Sequence, residues 1–189
     1  FMKIEVVYFA YLMKEWDILF EQLDYFKGTE LYNSANKLNL CCTISKEKES
    51  ALRDIISNKY SKWSISNVSY ENTFEYPGIS YLHKIAQEDT YYLYMHTKGI
   101  FYFFPHNVKL RKLMHDKLIK DYKNCMGYLD GDYDKVTCYK SHGGFCWFNF
   151  LWVKGTFIKR LSLPSVDDIK NRFFYEEWFK GDVSKVKSL

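Results

Sequence analysis

Polar side chains that interrupt apolar runs are where chemistry would sit in this chain. The run Thr90 to Met95 ends in His96-Thr97-Lys98-Gly99. A lysine there can neutralise a phosphate, a glycine lets backbone approach a ligand, and a histidine can donate, accept or ligate a metal. Ligands of open α/β sheets bind outside the carboxyl ends of strands, which makes this a site candidate, although a polar turn closing a strand reads the same way. A second cluster, Ser141 to Trp152, sets Gly143-Gly144 beside several aromatic rings and carries one amide, Asn149, in an apolar stretch. Paired glycines suit a kink against a flat ligand, and a buried amide needs a partner, while strand core is the alternative for the rings. A third cluster places Glu176 four residues after Arg172, with Trp178 following. That spacing suits a structural i,i+4 pair or a carboxylate oriented for acid–base work.

Two metal readings are weaker. Cys138, His142 and Cys146 provide three ligands at a spacing that matches no zinc pattern, and two glycines break any shared helix. Asp130-Gly131-Asp132 is an Asp-x-Asp, the divalent-metal motif of many nucleotide-sugar enzymes, but it follows a helix rather than an apolar strand, which favours a solvated turn. GxGxxG, GxxxxGK[ST] and GxSxG are all missing, which disfavours dinucleotide-binding dehydrogenases, P-loop nucleotidases and α/β-hydrolases.

The elements that must position these residues alternate. Ile4 to Leu12 reads as a buried strand, and Trp16, Leu19, Phe20, Leu23 and Phe26 form a helical face that ends at Gly28. Leu38 to Ile44 is a second strand, capped by Ser45 into a helix with a stripe of Leu52, Ile55, Ile56 and Tyr60. Trp63 to Tyr70 is a weaker strand whose alternation slips between Ile65 and Val68. Pro77 suits the first turn of a helix presenting Ile79, Leu82, Ile85 and Ala86, before the strand Thr90 to His96. This β-α-β-α-β-α-β order predicts an α/β fold with a mostly parallel sheet flanked by helices. Further on, the spacing predicts one long helix from Val108 to Met126, strands at Asp134 to Tyr139 and Phe145 to Trp152, and a late helix from Phe173 to Phe179. Departure from strict alternation there points to a mixed sheet in one domain, 1–189, with no internal repeat or linker.

Of the 189 residues 47% are hydrophobic, and 9 Gly and 3 Pro exclude collagen-like or low-complexity chains, so a packed core is expected. No apolar run reaches the roughly 18 residues of a bilayer span. The start lacks the pattern of a secretory signal, Phe1 before Met2 reads as an added residue, and an odd count of 5 Cys without CxxC suits a reducing compartment, so a cytoplasmic setting is expected. The net charge of +4 comes almost wholly from lysine, with Arg53, Arg111, Arg160 and Arg172 the only arginines, which disfavours a dedicated nucleic-acid binder. The 17 Tyr, 15 Phe and 5 Trp are enough to stack on sugars or bases as well as fill a core.

With these residues in view, the chain resembles a family of GT-A-type glycosyltransferases encoded by large DNA viruses, chlorella viruses among them, with relatives in algae and microbes. The likeness runs through Trp16 to Leu23, Glu30-Leu31-Tyr32, Phe74-Glu75-Tyr76-Pro77-Gly78-Ile79, Leu93-Tyr94-Met95-His96-Thr97-Lys98-Gly99, Phe148-Asn149-Phe150-Leu151-Trp152-Val153, and Arg172, Glu176 and Trp178. The fourth of these is the most specific. Phe148 stands where the family has glycine, Leu151 replaces a tryptophan, and His96-Thr97-Lys98 occupies the strand end where many GT-A enzymes carry Asp-x-Asp.

The resemblance implies a GT-A-like domain that moves a hexose from a nucleotide diphosphate sugar, UDP-linked as in UDP-glucose, to a hydroxyl of a glycan or glycoprotein acceptor. It implies catalytic roles for Glu176 and Lys98, and a donor site built from Tyr8, Tyr11, His96, Thr97, Lys98 and Gly99. Substrate contacts would come from Glu75, Asn149, Trp152 and Trp178. A divalent metal, Mn²⁺, would sit by His96, with Asp130 and Asp132 as lesser candidates. The resemblance implies host cytoplasm as the setting, no nucleic acid and no membrane span, and is compatible with further domains in a longer chain. The alternative is a non-catalytic carbohydrate- or nucleotide-binding module on the same fold, since fold alone does not confer activity.

Overall fold

Strand β1 (Lys3–Tyr11) buries both of its faces, which is why it reads as an unbroken apolar run. Val6, Tyr8 and Ala10 enter one hydrophobic layer, and Val7 and Phe9 the other. β1 lies between two parallel neighbours, β2 (Lys37–Thr43) and β4 (Thr90–His96), with β3 (Trp63–Ser69) outside β2. The remaining strands are β5 (Lys135–Thr137), β6 (Leu151–Lys154) and β7 (Val186–Ser188), and the full order is β3-β2-β1-β4-β6-β5-β7. β6 runs antiparallel to both β4 and β5, so the sheet is mixed. The computed structural model describes residues 2–97, 105–166 and 173–189; Lys98, Gly99 and Arg172 lie outside them.

Helices cover both faces. On one side pack α1 (Asp17–Lys27), α2 (Glu30–Ser34), α3 (Glu49–Lys59) and the stretch formed by α5 (Pro105–Met114) and α6 (Tyr122–Asp130), contributing Leu19, Leu31, Leu52, Met114 and Tyr122. On the other lie α4 (Tyr76–Ile85), α7 (Gly155–Ile158) and α8 (Phe174–Trp178), contributing Ile79, Leu82, Phe157 and Tyr175. The α/β class and the mixed, mostly parallel sheet expected from the sequence are present.

The slip expected in β3 is a bulge: Leu40 pairs with Ile65 but Cys41 with Asn67, leaving Ser66 as the extra residue. Two expectations fail. The helix drawn from Val108 to Met126 is three pieces, because His115–Lys120 widens into a π-helix and the chain turns at Asp121. The widened turn leaves Leu118 O to accept from the Trp152 indole at 2.7 Å, and a 3.6-residue periodicity does not register one extra residue per turn. The strand drawn from Phe145 to Trp152 begins only at Leu151, because Phe148 and Asn149 have φ of 68° and 43° and form a 3₁₀ turn with Trp147.

Between β3 and β4 the chain crosses from one side of β1 to the other, so β1 and β4 are the neighbours at which the strand order reverses. Crevices outside the carboxyl ends of such strands are where open α/β sheets take ligands. α4 starts at that edge and lies close on the sheet, because position 78 is glycine: a Cβ there would stand 2.8 Å from Phe9 Cβ and 2.9 Å from Tyr94 Oη. Gly78→Ala should therefore lower stability by about 1–3 kcal/mol, the usual cost of overpacking, and push α4 off Tyr94. Chemical denaturation of the variant checks this, and unchanged stability would mean that α4 is free to shift.

Candidate functional site

The residue before α4, Glu75, turns its carboxyl group into the protein, where it is only 6% exposed. Its Oε2 accepts hydrogen bonds from Asn149 Nδ2 at 2.8 Å and Tyr94 Oη at 3.1 Å. His96 Nδ1 stands 3.7 Å from Oε1. Three elements far apart in sequence thus meet on one group: the start of α4, the end of β4 and the turn before β6. Strand alternation explains part of this, since Tyr92, Tyr94 and His96 share a face of β4 and the Phe9 to His96 register brings that face beside Tyr11. Thr97 extends the pairing, donating its N–H to Phe9 O and accepting from Tyr11 N–H, both at 3.0 Å. Burial, and behind it the Glu75 carboxyl, pushes the Tyr94 phenol well above its ordinary pKa, so it stays a donor. Tyr175, on α8, is pushed up by the same two causes in the same order.

The backbone is bent where these groups are held. Phe74, just before Glu75, has φ of 53°, and Phe148 and Asn149 are also left-handed. Each such residue costs of order 1 kcal/mol or more, and conformations of this kind gather at functional sites because surrounding structure must enforce them. Buried polar atoms are under-satisfied here too. Asn149 Oδ1, Tyr175 Oη and Thr43 Oγ1 have no hydrogen-bond partner among the described residues. Native interiors seldom leave such atoms unpaired.

The expected residues divide. Glu75, His96, Asn149, Thr97 and the half-buried Tyr11 come together at the carboxyl edge of β1 and β4. Glu176 lies on α8, which packs against the Trp147–Asn149 turn, and its Oε2 is buried beside Tyr175. Tyr8 is a correction: fully enclosed on the opposite face of the sheet, it donates to Gln22 Oε1 and packs edge-on to Trp63, so it lines no cleft. Trp152 is another, spent on the π-helix at 0% exposure. Trp178 turns toward the last turn of α4, donating to Ser162 O at 2.9 Å with its ring edge-on to His83. Asp130 and Asp132 sit at the other end of the strands, where Asp130 accepts from Tyr91 Oη near the start of β4. Lys98 and Gly99 lie outside the described residues.

The described residues do not by themselves fit a divalent-metal centre. Among them no three His, Cys, Asp or Glu side chains gather around one point. Glu75 already accepts two hydrogen bonds on one oxygen, Asp130 is remote, and Cys138 and Cys146 face opposite layers of the sheet.

No protein-family model and no curated protein sequence matches the chain. Among solved structures it is similar to 4-diphosphocytidyl-2C-methyl-D-erythritol synthase of Anaerococcus prevotii, at 12% identity and a TM-score of 0.47, over 100% of this chain and 86% of that one.

Sequence reasoning gave no site role to Tyr94, two residues before His96, to Tyr175, next to Glu176, or to Lys135. This lysine is fully buried in β5, donates to Gly144 O at 2.6 Å and to Phe179 O, and lies 4.1 Å from the Phe157 ring centre. It ties α8 to the glycine turn, where Gly144 has φ of 75° and a side chain would strike Gly181 O; that kink packs backbone on backbone. Burial pulls the Lys135 ammonium down from 10.5 to about 8. The unfolded chain therefore binds more protons than the folded one between about pH 8 and 10.5, and this group makes stability rise with pH across that window. Lys135→Met should remove that rise. Subtracting variant from wild-type unfolding free energies at pH 7.5, 9 and 10 isolates the effect, and parallel curves would contradict it.

Proposed function

We propose that the chain is a nucleotide-sugar-dependent glycosyltransferase whose sugar-binding and reacting groups surround Glu75. The observation that carries this reading is the buried Glu75 carboxyl, gripped by Asn149 and Tyr94 at the edge where the strand order reverses. Sugars are recognised by fixed acceptors and donors at hydroxyl spacing, and this cluster offers both: Glu75 Oε1, Asn149 Oδ1 and Tyr175 Oη. The resemblance in sequence supports the same assignment for Glu75, Asn149, His96 and Glu176.

In the reaction, the bond from the anomeric carbon to the diphosphate oxygen breaks with its electron pair leaving on the diphosphate. The acceptor hydroxyl oxygen bonds to that carbon and gives up its proton. Positive charge placed by the leaving diphosphate is the largest contribution expected, the role the resemblance assigns to Lys98. A carboxyl group within reach of the acceptor hydroxyl takes the proton, adding roughly 10²–10⁴-fold. Glu176 suits that step because α8 sets it against the Asn149 turn, while Glu75, anchored on three sides, suits orientation of the sugar.

Glu75→Gln and Glu176→Gln separate these roles. In Glu75→Gln the carbonyl of the new amide can keep accepting from Asn149 and Tyr94 while its NH₂ faces His96, so the fold should survive. Release of UDP from UDP-glucose, with and without Mn²⁺, should fall by ~10²-fold in each variant. Glu75→Gln should also weaken binding of the intact donor relative to UDP alone, whereas Glu176→Gln should leave donor binding unchanged. A wild type that binds UDP-glucose but never releases UDP would identify a binding module, and one that binds no nucleotide would overturn the proposal.

A further inference from the structure

One face of the α5 and π-helix stretch is unlike the rest of the surface. Turning the chain by helical steps from Pro105 to Lys120, the buried residues Arg111, Met114, His115, Leu118 and Ile119 fall on one arc. The opposite arc carries Lys109, Lys112, Lys117 and Lys120 with Leu113 among them at 42% exposure, while Val108, 41% exposed, lies at the border of the buried arc. Among the described residues none of the four lysines lies in an ion pair. Of the nearby carboxyl groups, Glu21 pairs with Arg111 and Glu30 with Lys123, while Asp116, which accepts from Tyr25 Oη, and Asp121 add negative charge to this stretch.

From this we infer that the α5 and π-helix face docks reversibly on an anionic lipid bilayer. Four exposed lysines against Asp116 and Asp121 leave this stretch net positive and attracted to a negative surface, and exposed Leu113, with Val108 at the border of the face, would enter the headgroup boundary. A nucleic acid fits less well, because among the described residues the face has lysines and no exposed arginine, tyrosine, phenylalanine or tryptophan to read or stack on bases.

The test is co-sedimentation of the whole protein with vesicles of phosphatidylcholine alone and of phosphatidylcholine with phosphatidylserine. Binding is expected to the second kind only, and to fade as salt shortens the screening length. Each lysine contributes roughly fivefold to the partition coefficient, so replacing Lys109, Lys112, Lys117 and Lys120 together by Gln should lower it by ~10²–10³-fold. All four are exposed and outside ion pairs, so the melting temperature should hold. Leu113→Ser should weaken binding without changing its dependence on phosphatidylserine. Failure to sediment with anionic vesicles, equal binding to neutral ones, or a quadruple variant that binds like wild type would overturn the inference. So would binding to duplex DNA in place of vesicles, or a dimer in sedimentation velocity that the same variant dissolves. None of these outcomes bears on Glu75, so the glycosyltransferase reading stands or falls separately.

Discussion

A carboxyl group withdrawn from water must find donors inside the protein, and Glu75 can find its own only if three separate elements are correctly built. The Asn149 amide reaches it because the chain before β6 takes a left-handed turn, Tyr94 because α4 approaches the sheet closely at Gly78, and His96 because β4 is in register with β1. Losing one donor leaves a buried acceptor short of partners, at about 1–3 kcal/mol, so the arrangement is held as a set. Much of the local irregularity traces to this group: the bent residue at Phe74, the glycine at position 78 and the two left-handed residues before β6.

The first half of the fold was legible in the sequence because both of its signals are local. Continuous apolar runs marked β1, β2 and β4, three- and four-residue spacing marked α1, α3 and α4, and even the bulge at Ser66 showed as a slip between Ile65 and Val68. The second half was harder for physical reasons. Trp147 to Phe150 looks like strand by composition, yet the positive φ of Phe148 and Asn149 is imposed by the contact with Glu75, 74 positions away in sequence. α2, α7 and β7 have 5, 4 and 3 residues, too short to carry a periodicity.

The candidate site was half legible. Polar residues breaking an apolar strand pointed to the end of β4, where His96 lies beside Glu75, and Asn149, read as an amide in need of a partner, finds one in Glu75. Tyrosine was the residue type hardest to place. Tyr8 and Tyr94 stand on the same kind of strand, both with buried hydroxyls, and only the parity of each strand decides that one meets Gln22 in the far layer and the other meets Glu75. The tryptophans are similar, since Trp152 has its indole taken by a π-helix carbonyl that no sequence pattern announced.

The strand order also sets a folding problem. β1 lies inside the sheet, third of seven, yet its partner on the site-bearing side, β4, begins only at Thr90. Pairing Phe9 with His96 closes a loop of 86 intervening residues, and loop-closure entropy must be met before the contacts that reward it can form. During synthesis β1 therefore emerges with one apolar edge covered by β2 and the other open until β4 arrives. That interval, rather than the finished protein, is when Val6 to Ala10 could pair with another chain. It makes the passage from β2 to β4 the stretch of translation during which a chaperone would matter most.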